Sequence, residues 1–285
     1  MNTNDLKIFE AVAASGSFTK AASAMFTVQS NVTARIKSLE VEFGAELFSR
    51  TSRKVELTPA GQILMQHCKQ IGYLVAEAKS NIQSSDKVNG SLKIGCIETT
   101  MALKVPEILT QFEENYPDVE LEFKSGMRSA LINDVLNYNL DAAFVSAPVN
   151  VKGLEQIKIK EEQLVILTSS NGPELPELLT KQPLKIVVFG EGCIFRARME
   201  SWLSSKGIVH YKSTVLNSIE GIINFVEAGV GISLLPEEVV SRYYSGRKIS
   251  SYGLNKQLGT MNTVLVFRKD EAQSRALKAF IDMYS

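Results

Sequence analysis

The sequence predicts a small helical domain followed by a larger α/β domain, on three observations. Residues 17–57 hold two short helical patterns joined by a tight turn, then a basic hairpin. Residues 59–85 form one long helical pattern with an apolar residue every 3.5 positions, and from about residue 91 strand and helix patterns alternate. At 285 residues the chain suits two domains, the second large enough to divide into lobes.

Ser17 and Thr19 are candidate caps for a helix with Phe18, Ala21, Ala22 and Met25 on its apolar face. After a break at Phe26-Thr27, a second helix carries Val32, Ile36 and Leu39 at i, i+4, i+7. Its opposite face presents Gln29, Ser30, Asn31, Thr33, Arg35 and Lys37, short polar and basic side chains suited to base edges and phosphates in a major groove. Leu47-Phe48 begin an extended run, Arg50, Arg53 and Lys54 cluster at its tip, and Val55 and Leu57 lead back to Thr58-Pro59. A cationic hairpin beside such a helix pair is the wing of a winged helix-turn-helix. The chain has 31 basic and 31 acidic residues, yet Lys20, Arg35, Lys37, Arg50, Arg53 and Lys54 place positive charge on the one surface that would meet DNA.

These stretches resemble the LysR-type transcriptional regulators, and the resemblance covers essentially the whole length. It is strongest in SFTKAASAMFTVQSNVTARIKSLE, in Leu47, Phe48, Arg50, Thr51 and Arg53, and in LTPAG at 57–61. It implies DNA contacts from Gln29, Ser30, Asn31, Thr33, Arg35 and the wing residue Arg53. Three positions depart from the common pattern: Val28 replaces a frequent serine, Ser30 a frequent proline, and Ala34 a usual arginine. Loss of that arginine removes a bidentate guanine contact and leaves the operator sequence open.

Leu64, Cys68, Ile71, Val75, Ala78 and Ile82 form the seam of the long helix, 59–85. The seam packs either on its own domain or on a second copy. The resemblance implies the second, a homodimer with two recognition helices about 34–36 Å apart, and a tetramer of two such dimers. Residues 86–90, polar and ending in Gly90, read as a hinge after the DNA-binding domain of 1–58.

In 91–285 the strand patterns are Leu92–Ile97, Val119–Phe123, Ala142–Val145, Leu164–Leu167, Ile186–Phe189, Ile232–Leu234 and Val264–Phe267, with helices between them. The resemblance implies a two-lobed effector-binding domain like the periplasmic solute-binding proteins. Lobe I would hold about 91–163 and 266–285, and lobe II about 164–265. Ligands of such sheets sit beyond strand carboxyl ends, where helix amides point outward. Those places hold Glu98, Thr99 and Thr100, then Gly126, Met127, Arg128 and Ser129, then Gly190, Cys193 and Arg196. The resemblance makes these the effector cleft, with Arg128 standing where a small hydroxyl residue is usual. A guanidinium there favours a carboxylate or other anion, unless Glu98 pairs with it. Cys193 occupies the loop that carries a redox cysteine in peroxide-sensing relatives, but no resolving cysteine follows it, so redox sensing is the alternative reading.

Composition bounds the rest. The opening MNTNDLKIFEAV has no export signal, no apolar run spans a membrane, and three scattered cysteines suit a reducing compartment, so a cytoplasmic protein is expected. His67 and His210 lie far apart without metal-ligand spacing, and neither a cofactor nor a metal is expected. No GxSxG, GxGxxG or P-loop supports an enzyme. A solute-binding protein would fit 91–285 but not the first 60 residues. The expected partners are double-stranded DNA, a small-molecule effector, further copies of the chain and, from the resemblance, RNA polymerase.

Overall fold

A computed structural model describes residues 1–50, 55–83, 87–269 and 273–284. Helix α1 (Thr3–Ser15) starts in a capping box: the Asn2 side chain accepts from the amides of Asn4 and Asp5, and the Asp5 carboxylate accepts from the Asn2 amide. It ends at Gly16 in the left-handed region, φ 60°. Helix α2 (Phe18–Ala24) is capped by Ser17, whose hydroxyl accepts from the Lys20 amide. Thr19, the other expected cap, lies inside the helix instead. Phe26 (φ 51°) then turns the chain into α3 (Gln29–Phe43).

Strands β1 (Phe48–Arg50) and β2 (Val55–Leu57) pair antiparallel with Phe48 opposite Leu57, and α4 (Pro59–Gln83) follows. A Cβ at Gly61 would fall 2.1 Å from the Leu47 carbonyl oxygen, so the close approach of α4 to this hairpin requires glycine. The tip of the wing, with Arg53 and Lys54, lies outside the described residues.

The core of this unit is built from Phe9, Val12, Phe18, Val32, Ile36, Leu39 and Phe48, and it also takes in Leu64 and Cys68. The first two seam positions of the long helix are therefore covered by their own domain, and Ile71 packs against the same core. That corrects the expectation of a partner-facing seam along its whole length. The reason is position: the first turns of α4 must close the domain they leave. Farther along, Leu74 and Ile82 are exposed, at 42% and 83%.

A second unit, 86–285, forms separately. The expected hinge at 86–90 is in part already domain, because Val88 packs on its core and Gly90 opens the first strand. In chain order its elements are β3 (Gly90–Cys96), α5 (Glu98–Leu103), α6 (Val105–Asn115), β4 (Val119–Ser125), α7 (Arg128–Leu136), β5 (Ala142–Ser146) and β6 (Leu154–Ser169). Then come α8 (Leu175–Thr180), β7 (Leu184–Val188), α9 (Ile194–Ser205), β8 (Tyr211–Val215), α10 (Ile219–Glu227), β9 (Ser233–Pro236) and α11 (Glu237–Tyr243). The chain closes with β10 (Ile249–Gly253), α12 (Lys256–Gly259), β11 (Thr260–Arg268) and α13 (Arg275–Asp282).

Two lobes share β6. Its first half pairs antiparallel with β11, in a lobe I sheet ordered β4-β3-β5-β11-β6. Its second half pairs with β9 and β10 in lobe II, where β7 and β8 run parallel and a bridge from Ile186 to Ile232 joins β7 to the rest. Lobe I buries Phe112, Phe144 and Phe280 on one face of its sheet and Leu131, Val145 and Val266 on the other. Lobe II buries Ile166, Trp202, Ile223 and Leu235.

The return crossing comes earlier than the expected residue 266: Met261 sits in the lobe II core, while Val264 and Leu265 already belong to lobe I. Helix α5 crosses too, since its Leu103 packs into the lobe II core.

Candidate nucleic-acid interface and ligand cleft

Helix α3 begins at Val28 with no side-chain cap, so its first amides are open to an acceptor and carry the positive end of the helix dipole. Gln29 and Ser30 are exposed there, with Val28 at 65% and Phe26 at 98% beside them. The Thr19 hydroxyl donates to Gln29 Oε1 at 3.3 Å, which ties the Gln29 side chain to α2. Asn31 and Thr33 are half-buried, and Asn31 Nδ2 donates to Thr27 Oγ1 at 2.9 Å. Arg35 is exposed but ion-paired to the buried Asp5 of α1 at 3.4 Å. Of the expected DNA contacts, then, Gln29 and Ser30 stand open, Asn31 and Arg35 are held within the fold, and Arg53 lies outside the described residues.

In the second unit, the lobes enclose a cleft of about 360 Å³. Its walls come from strand ends and helix starts: Ile97 and Glu98 after β3, Ser125 to Arg128 after β4, Ser146 at the end of β5, and Phe189 and Cys193 after β7. Glu98, Arg128 and Cys193 line it as expected from the sequence. Thr99 and Thr100 do not: both are buried, at 1% and 3%, because the face of α5 that carries Thr99 and Leu103 is turned into protein. Arg196 lies in an adjoining groove, where it pairs with Glu200 at 2.9 Å.

Arg128 is not neutralised by Glu98. Its Nε donates to the Ser146 carbonyl at 2.9 Å and its Nη2 to the Pro148 carbonyl, while Glu98 accepts from Ser125 Oγ at 3.3 Å. Two of five guanidinium N–H groups are thus spent on fixing its plane. Helix α7, which it opens, has no side-chain cap.

Burial pushes the Cys193 thiol up, and the amides of Arg196 and Phe195 only partly offset it. That is the opposite of the lowered value a reactive thiolate needs.

Met127 lines the cleft as expected, whereas Ser146, Phe189 and Asn217 were missed from the sequence. Ser146 was within reach of the same strand-end rule that found Arg128. Asn217 follows β8, a short strand whose exposed residues carry no apolar alternation. Among the described residues, none of the His, Cys, Asp and Glu clusters could hold a metal ion, and no helix is long and apolar enough to cross a membrane.

A winged helix-turn-helix joined to a two-lobed ligand-binding domain defines a class of DNA-binding regulators. Residues 3–62 match the family described as bacterial regulatory helix-turn-helix protein, lysR family, and residues 85–285 match the LysR substrate binding domain. The chain belongs to the LysR family: it is a DNA-binding transcriptional regulator with an effector-binding domain, not an enzyme. It is 38% identical over 285 residues to the uncharacterized regulator YusT of Bacillus subtilis, covering 100% of this chain and 96% of that one. To the regulator GltR of Bacillus subtilis it is 35% identical over 281 residues, covering 99% and 95%. The solved structure of full-length CbnR complexed with its target DNA shares the fold, with a TM-score of 0.72 at 20% identity over 100% of this chain and 99% of that one.

Proposed function

We propose that this protein is a cytoplasmic, homo-oligomeric regulator that reads its operator through the start of α3 and answers to a small molecule bearing a carboxylate or other anionic group. Arg128 carries the ligand reading. A guanidinium seated on two carbonyls at a cleft wall keeps N–H donors for a bidentate contact and has already lost the freedom that binding would otherwise cost. Helix α7, which Arg128 opens, begins without a side-chain cap, so its first amides are further donors for an anion at that helix start. Gln29 and Ser30 at the uncapped end of α3 supply the base contacts, and Arg53 of the wing a phosphate contact. The solved structure of CbnR, which shares this fold, holds its target DNA.

A ligand acts by preferring one arrangement of the lobes over another, and only its difference in affinity between the two can shift them. The two coiled-coil dimers of a tetramer would pass that shift to the DNA. Gel-shift titration against an operator selected from random duplexes tests the DNA reading. Gln29→Ala should cost about 1–3 kcal/mol on the selected site and leave binding to unrelated duplexes unchanged. Equal binding of both proteins to the selected site would remove Gln29 from the reading surface.

A further inference from the structure

The charged side chains that line the cleft, among the described residues, are one acid and one base, Glu98 and Arg128. They face the same cavity of about 360 Å³ and are not paired with each other. Both stand at strand ends of lobe I, and each is engaged by a different group: Glu98 by the Ser125 hydroxyl, Arg128 by the Ser146 and Pro148 carbonyls. A ligand with only a carboxylate would satisfy Arg128 and be repelled by Glu98; a ligand with only an amine would meet the reverse. Opposite charges fixed apart on one cavity complement a molecule that carries both.

A third polar group points the same way. Ser146 lines the cleft, is 1% exposed, and its Oγ has no hydrogen-bond partner. A buried hydroxyl without a partner is costly to leave, and a polar ligand group beside the Arg128 fork removes the cost. The remaining wall is largely apolar, with Ile97, Met127, Phe189 and Phe195.

We propose that the cleft takes a zwitterion with an apolar body, the class of the apolar α-amino acids. The carboxylate lies on the Arg128 fork with Ser146, the ammonium on Glu98, and the side chain among Phe189, Phe195 and Met127. This rests on reading the cleft as the effector site.

Isothermal titration of the full-length protein tests it, with L-leucine, L-isoleucine, L-valine, L-methionine and L-phenylalanine as probes. Each is run beside the acid that lacks its amino group and the amine that lacks its carboxylate. At least one amino acid should bind, and each of its one-charge analogues should bind about tenfold or more weakly, since a charge-assisted bond is lost. Glu98→Gln should weaken the amino acid and, with the repulsion gone, bind the acid analogue as tightly as the parent or more so, which removes the preference between the two, and Glu98→Asp should recover part of that preference.

Four results overturn the proposal. An acid analogue that binds as tightly as its amino acid, or an amino acid indifferent to Glu98→Gln, removes the cationic contact while the anion-binding cleft stands. No binding by any of the five excludes the class. Amino-acid binding undiminished in Arg128→Ala removes both this proposal and the anionic reading beneath it.

Discussion

Arg35 Nη1 lies 3.4 Å from Asp5 Oδ1, a buried carboxylate oxygen that no hydrogen-bond donor reaches. The same carboxylate closes the capping box of α1 through the Asn2 amide, so one acid ties the start of α1 to the middle of α3. Arg35 is 47% exposed at its side chain, which keeps the pair near the weak end, and Arg35→Ala should destabilise the N-terminal unit by about 1 kcal/mol. Asp5→Ala also breaks the cap and should cost about 1–2 kcal/mol. Amide hydrogen exchange in α1 and α3 reads both. If Arg35→Ala leaves exchange untouched and relaxes preference at one operator position, Arg35 is a base contact and the ion pair is incidental.

The long helix separates two roles that its sequence merges. Leu74 and Ile82 are exposed, so Leu74→Asp and Ile82→Asp should leave the circular dichroism of the protein unchanged while lowering its sedimenting mass and its operator affinity together. Cys68 is 2% exposed, and Cys68→Asp should unfold the first unit outright. Unaltered mass in both exposed-site variants would place the assembly interface elsewhere.

Glu162 sits where β6 passes from lobe I to lobe II, opposite Met261 of β11. It is 6% exposed and accepts from Thr263 Oγ1 at 2.7 Å. Burial pushes its carboxyl above the ordinary 4.5, against the Thr263 bond and the charges of Lys160 and Lys104. The folded state then holds a proton that the unfolded state has released, so stability falls as pH rises from 4.5 through the raised value. Glu162→Gln keeps the shape and the bond from Thr263 without the charge. Its thermal midpoint should exceed that of the parent at about pH 7.5 and match it at about pH 4. A lower midpoint at the higher pH would mean that the two lysines outweigh burial.

Cys193 has its thiol raised by burial, so it should react with a disulfide reagent more slowly than a free thiol at the same pH. Peroxide should leave operator binding unchanged in the parent and in Cys193→Ser alike. A peroxide response that disappears in Cys193→Ser would restore the redox reading. Mass spectrometry of the treated protein would then show which oxidised form carries it.

The DNA-binding half was legible because its information is local. Val32, Ile36 and Leu39 mark the buried face of α3 by spacing alone, and Ser17 and Gly44 punctuate the helices on either side of the turn. In the second unit the apolar strands were equally plain, but Leu154–Gln163 was not. That half of β6 reads LEQIKIKEEQ and is mostly exposed or half-exposed, so no apolar run announces it. It is a strand because β11, some hundred residues later, pairs with it.

Periodicity, caps and charge placement by themselves determined that a helix pair, a basic wing and an α/β domain occur in this order. They also picked out Arg128 and Glu98 from their places after strands. Only the tertiary structure decided that Thr99 turns inward, that Arg35 is engaged by Asp5, that Leu64 and Cys68 serve their own domain, and that Glu98 and Arg128 share a cleft without pairing. A side chain's face follows from its neighbours along the chain. Its partner is whichever group the folded chain brings within reach, and for these residues that group lies tens of positions away along the chain.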